Sequence, residues 1–183
     1  RLRLEWRERL AMPYERHCLV NNLVNIWCME IKDNESKNTD MRLDNDTYSE
    51  KRCRELCLKT LKELNCEVQI SEDDVFEFAF QSYRFAIVYG KGFIRIMLLD
   101  WHEIDLDDID MLAKARRLIN EMNTDDPFPC LMYFISEDEH KMFIRAMADT
   151  LFIREIPDIK RYLGNNLEWF FPKVFEFKNR IAQ

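Results

Sequence analysis

The stretch FAIVYGKGFIRIMLLDW, residues 85–101, limits what this chain can fold into more than any other. It reads as two apolar strands around GKG, with Gly90 and Gly92 suited to a hairpin turn that requires positive φ. Just upstream, VFEFAFQ alternates with period two: Phe76, Phe78 and Phe80 on one side, and Val75, Glu77, Ala79 and Gln81 on the other. The second hairpin strand is apolar on both faces yet carries Arg95 at its middle. A sheet of this kind needs a cover on each face.

The rest of the chain supplies partners for the hairpin. CLMYFIS and KMFIRAM predict two more strands meeting at a turn near EDEH. A helix is expected from Thr47, with Glu50 completing a capping box and Cys53, Leu56, Cys57, Leu61 and Leu64 forming one buried stripe; Asn65 ends it. A second helix is expected over Leu106–Met122, with Asp105 as N-cap and Asp107, Asp108 and Asp110 at the positive end of its dipole. The last helix starts at Pro157 and should kink or break at Pro172. The order is helix, three strands, helix, two strands, helix. This predicts an α+β fold with a mostly antiparallel five-stranded sheet and flanking helices.

Before it, residues 1–31 read as a helical extension split by Pro13, with Cys18, Leu19, Leu23, Ile26 and Trp27 at helical spacing. Residues 32–46 are almost all polar and read as a linker. The α+β domain is expected to occupy 47–183.

Composition narrows the functional classes. A net charge of −7 argues against a nucleic-acid partner, because phosphates demand clustered Lys and Arg. Three glycines leave little material for a phosphate-cradling loop. The acidic run EIDLDDID lacks the Gly and Glu spacing of an EF-hand, and His17, His102 and His140 form no zinc-binding pair. No catalytic residue, metal or cofactor is expected. The six cysteines include no CxxC; Cys53 and Cys57 fall on a helical stripe as small hydrophobes, which favours a reducing, cytoplasmic setting. No apolar run is long enough to span a bilayer. The basic start RLRLEWRER reads first as a solvated helix start; without an initiating Met it also fits a segment beside an upstream membrane anchor, the one membrane contact that would be expected.

The candidate site is the second face of the sheet. One face is expected to carry Phe76, Phe78, Phe80, Ile94, Ile96, Leu98, Met142 and Ile144, under the helices. The opposite face carries Glu77, Ala79, Phe93, Arg95, Met97, Leu99, Phe143, Arg145 and Met147. Burying each of its five large apolar groups is worth roughly 1.5–3 kcal/mol, so all five should not be left in water. Three covers fit: the segment 1–31, a second copy of the chain, or a client peptide. For a client, Met97 and Met147 supply adaptable contact and Arg95 and Arg145 supply directed hydrogen bonds. Glu77, Phe93, Arg95, Met97, Phe143, Arg145 and Met147 are therefore the candidate binding residues. The alternative is a small-ligand or enzymatic pocket at Trp101, His102 and Glu103.

The segments LKELNCEVQ, FEFAFQSYRFAIVY, FIRIMLLDWHEID, LINEMN and YLGNNLEWFF resemble the type III secretion chaperone-like fold and its YbjN-like relatives, uncharacterised Bacteroidetes proteins among them. The resemblance spans Thr47 to Ile181. It implies a protein-binding or chaperone-like domain without catalysis, typically a homodimer that holds an extended partner segment. The extension 1–31 and linker 32–46 have no counterpart in that pattern.

Overall fold

The computed structural model describes residues 49–183. The expected extension 1–31, the linker 32–46 and the Thr47 cap lie outside the described residues. The first described helix, α1, spans Glu50–Glu63. Its cap is Ser49, whose hydroxyl accepts the Arg52 N–H at 3.3 Å. Asn65 ends it as expected, at φ 59°. The Cys66 N–H returns to the Leu61 carbonyl and the Asn65 N–H to the Lys62 carbonyl, which satisfies two orphaned acceptors.

Six strands follow, joined in one antiparallel sheet: β1 Gln69–Ile70, β2 Phe76–Phe80, β3 Tyr83–Tyr89, β4 Phe93–Asp105, β5 Cys130–Ser136 and β6 Lys141–Leu151, in the spatial order β1-β2-β3-β4-β6-β5. The expectation of five strands is corrected by β1. That strand is two exposed residues long, so no alternation announces it. At the GKG turn only Gly92 takes positive φ, at 78°. Gly90 is instead a point of close approach: a Cβ there would meet the Phe93 ring at 3.0 Å.

Helix α2 runs Ile109–Asp125 with Asp108 as N-cap, its Oδ1 accepting the Met111 N–H at 2.9 Å. Asp105 is not the cap, because β4 continues through it to pair with Lys141. The expected last helix is two. Asp158 caps α3, Ile159–Glu168, and α4, Phe170–Ile181, begins after Trp169. Pro172 sits in the first turn of α4, where its missing N–H costs nothing, and so restarts the helix rather than kinking it.

The buried side chains of all four helices join one cluster with Phe76, Phe78, Phe85, Ile87, Ile94, Ile96, Leu98, Met142 and Ile144. Phe85 lies at its aromatic centre, edge-on to Phe170 at 5.5 Å and stacked on Phe78 at 5.9 Å. The helices thus cover one face of the sheet. Asp46–Gln183 is one compact unit.

Candidate functional site

The other face has its own buried row. Cross-strand pairing aligns Glu77, Ala86, Met97, Met147 and Cys130 across five strands. Ala86, Met97, Met147 and Cys130 are all buried, yet none belongs to the helix-side cluster. Because side chains alternate along a strand, Arg95 and Arg145 flank this row on the same face as Met97 and Met147. Phe143, one pleat beyond Arg145, shares that face and is half-buried, as is Leu99. At one end of the face, Phe93 and Leu151 oppose each other at 50% and 55% exposure. At the other, exposed Phe134 on β5 opposes Phe143.

Neither arginine waits for a distant partner. Arg95 Nε and Nη2 donate to the two carboxylate oxygens of Asp149 at 2.7 and 2.8 Å, a bidentate pair across the ladder. Arg145 is held by a local distortion. Pairing passes from Leu98–Ala146 to His102–Ile144, so Leu99, Asp100 and Trp101 stand opposite Arg145 alone. Such a bulge re-aims side chains. Asp100 enters the left-handed region at φ 44°, and its Oδ1 accepts the Arg145 Nε–H at 2.7 Å. The Arg145 guanidinium also lies 4.9 Å from the Phe134 ring centroid, within cation–π range. Glu77, at the end of the buried row, pairs with Arg84 at 3.6 Å. Arg95 and Arg145, expected to offer hydrogen bonds to a client, thus each hold a carboxylate of the sheet.

The Trp101–His102–Glu103 corner divides. Trp101 turns toward the helices and packs edge-on against Phe177 at 5.2 Å, as a core residue. Its indole N–H is buried without a partner among the described residues. His102 and Glu103 line an open cleft of about 510 Å³ with Asp105, Asp108, Lys178 and Ile181. Burial holds the His102 pKa down, and the nearby Lys178 charge adds to this, while Glu103 opposes it. Glu103 is engaged by Lys141 at 2.6 Å. Among the described residues no three His, Cys, Asp or Glu side chains converge as a metal site. Cys53, Cys57 and Cys66 are free and buried, and burial raises their thiol pKa. No described helix is long and apolar enough to cross a membrane.

Several residues of the face are not among those predicted from sequence. Phe134 and Leu151 follow from strand parity once β5 and β6 are paired, and parity is visible in CLMYFIS. Asp100 and Asp149 required the bulge and the register. A further cluster lies at the β1–β2 loop. Arg54 donates to Asp74 at 3.0 Å and to the Tyr89 hydroxyl at 3.1 Å, the Tyr89 hydroxyl donates to Asp74, and Arg54 sits 5.4 Å over the Phe76 ring. This clasp ties α1 to the sheet. Burial, followed by the Asp74 carboxylate, pushes the Tyr89 pKa up to about 12.

No protein-family model matches this chain, and no curated protein matches it. One solved structure that it resembles is an uncharacterized protein from Methanothermobacter thermautotrophicus, at 12% identity and a TM-score of 0.43, covering 70% of this chain and 99% of that one.

Proposed function

We propose that this is a non-catalytic interaction domain that binds a protein segment through the sheet face opposite its helices. The observation that carries the reading is the composition of that face. A buried floor of Met97 and Met147 runs between exposed Phe93 and Leu151 at one end and exposed Phe134 at the other. Exposed apolar groups around a methionine floor suit an adaptable protein contact. The ion pairs Arg95–Asp149 and Arg145–Asp100 neutralise the charges at the rim, so an apolar segment can approach without stranding a bare guanidinium.

The test is selection of a phage-displayed random peptide library on the full chain. Enriched peptides should lose binding to Phe93→Asp and Leu151→Asp, two exposed positions whose replacement spares the core. Peptides that bind both variants as well as the parent would overturn the reading.

A second reading places a small ligand in the cleft beside His102 and Lys178, where an imidazole and an ammonium face the same open space as Glu103, Asp105 and Asp108. A thermal-shift screen of metabolites on the parent and on His102→Ala separates the two readings. Stabilisation that vanishes in the variant favours the cleft.

A further inference from the structure

Strand β5 ends the sheet, and its exposed edge is apolar. Tyr133, Phe134 and Ile135 are 38%, 46% and 48% exposed, although they are consecutive and so point to alternate faces. The run Leu131–Ile135 holds no charge and no proline, the usual guards of an edge strand.

The edge is closed at one point. The Asn123 side chain on α2 accepts the Leu131 N–H and donates to the Leu131 carbonyl, both at 2.8 Å. In an antiparallel ladder one residue's N–H and C=O point the same way, alternately toward and away from the neighbour. Leu131 is thus an outward residue, and Tyr133 and Ile135 are the next two. Beyond them the chain turns through Glu137, Asp138 and Glu139 into β6. Asn123 stands in for a neighbouring strand at Leu131, and among the described residues no strand faces the two outward residues beyond it.

We propose that two copies of this chain pair through β5, antiparallel, about a two-fold axis at Phe134. In that register Tyr133 exchanges backbone hydrogen bonds with the partner's Ile135, and Ile135 with the partner's Tyr133, while the two Phe134 side chains meet. A shift of one outward residue in either direction leaves a free residue opposite Leu131, already satisfied by Asn123, or opposite the acidic turn. The charges also agree. Arg116 lies 5.7 Å over the Tyr133 ring on the helix side, and the partner's Glu137 arrives on that side, opposite Leu131. The two sheets become one continuous sheet. The inference does not depend on the peptide-binding reading, and its test reads mass and cross-linking rather than peptide affinity.

The experiment is light scattering of the full chain over a concentration series. The parent should have the mass of a dimer. Ile135→Pro should be monomeric with unchanged circular dichroism, because the N–H it removes points away from β6. Phe134→Lys, which places two ammonium groups on the axis, should be monomeric as well and serves if the proline variant does not fold. In a Cys18→Ser, Cys28→Ser background, Phe134→Cys should cross-link on mild oxidation. Met132→Cys should not, since the register puts the two copies of that position roughly 14 Å apart. A parent that is monomeric throughout, a dimer that survives both edge variants, or equal cross-linking at 132 and 134 would overturn the proposal.

Discussion

Asp100 carries two separable burdens, and a short series of variants pulls them apart. Its carboxylate binds Arg145 at 2.7 Å, with both side chains about three-quarters buried at 21% and 24% exposure. Its backbone sits at φ 44°, where a Cβ is crowded but Asn and Asp are tolerated. A charge-assisted hydrogen bond contributes about 1.5–3 kcal/mol, and residual solvent contact here sets the expectation at about 1–2 kcal/mol. Asp100→Asn keeps the backbone preference and loses the charge, so it should cost about 1–2 kcal/mol, a Tm decrease of about 2–8 °C for a chain of this length. Asp100→Ala loses the charge and adds left-handed strain of about 1–2 kcal/mol, for a total of about 2–4 kcal/mol. Asp100→Gly removes the strain and should be no worse than Asn. Urea denaturation measures all three, and a double-mutant cycle with Arg145→Met should return a coupling of about 1–2 kcal/mol. Equal losses for Asn and Ala, together with a coupling below about 0.3 kcal/mol, would refute the claim that the bulge exists to seat Arg145.

Other outcomes follow from the same structure. Phe85→Ala should destabilise by about 3–5 kcal/mol in urea, since Phe85 is fully buried between Phe78 and Phe170. Tyr89 should not form tyrosinate until well above its usual range; because the folded-state pKa is raised, stability is intact below pH ~10 and is lost as pH rises toward about 12, a loss that Tyr89→Phe should flatten. For His102 the sign is opposite: its folded pKa is depressed by burial, so stability is full above pH ~6.5 and declines as pH falls, and His102→Gln should remove that dependence in pH-resolved thermal melts. In a Cys18→Ser, Cys28→Ser background the folded chain should be inert to a thiol reagent at neutral pH and titrate four thiols only in denaturant.

The strands of the central sheet were legible because their alternation is strong. CLMYFIS was bounded to the residue, and the separation of Phe76, Ile94 and Ile144 from Arg95, Met97 and Arg145 follows from period two alone. What sequence did not disclose depends on residues meeting in space. β1 is too short to show a period, and the Asp105 cap was misplaced by three residues because a run of aspartates offers several equivalent caps while the length of β4 decides among them. The bulge has no glycine to betray it; Asp100 takes the positive φ instead. Hence the carboxylates that engage Arg95 and Arg145 were not foreseen, nor was the Asn123 clamp on β5, which joins a helix to an edge strand. The fold was therefore readable from patterns within segments, while the character of the candidate face was set by contacts between them.

The most direct test of the central claim is photo-cross-linking of a library-selected peptide to chains carrying benzoylphenylalanine at Phe93, Phe134, Trp169 or Phe175. All four positions are exposed aromatics; the first two lie on the face opposite the described helices, Trp169 at the junction of α3 and α4, and Phe175 on α4. The account predicts adducts at Phe93 and Phe134 and none above background at Trp169 and Phe175. Adducts confined to the helix positions would contradict it.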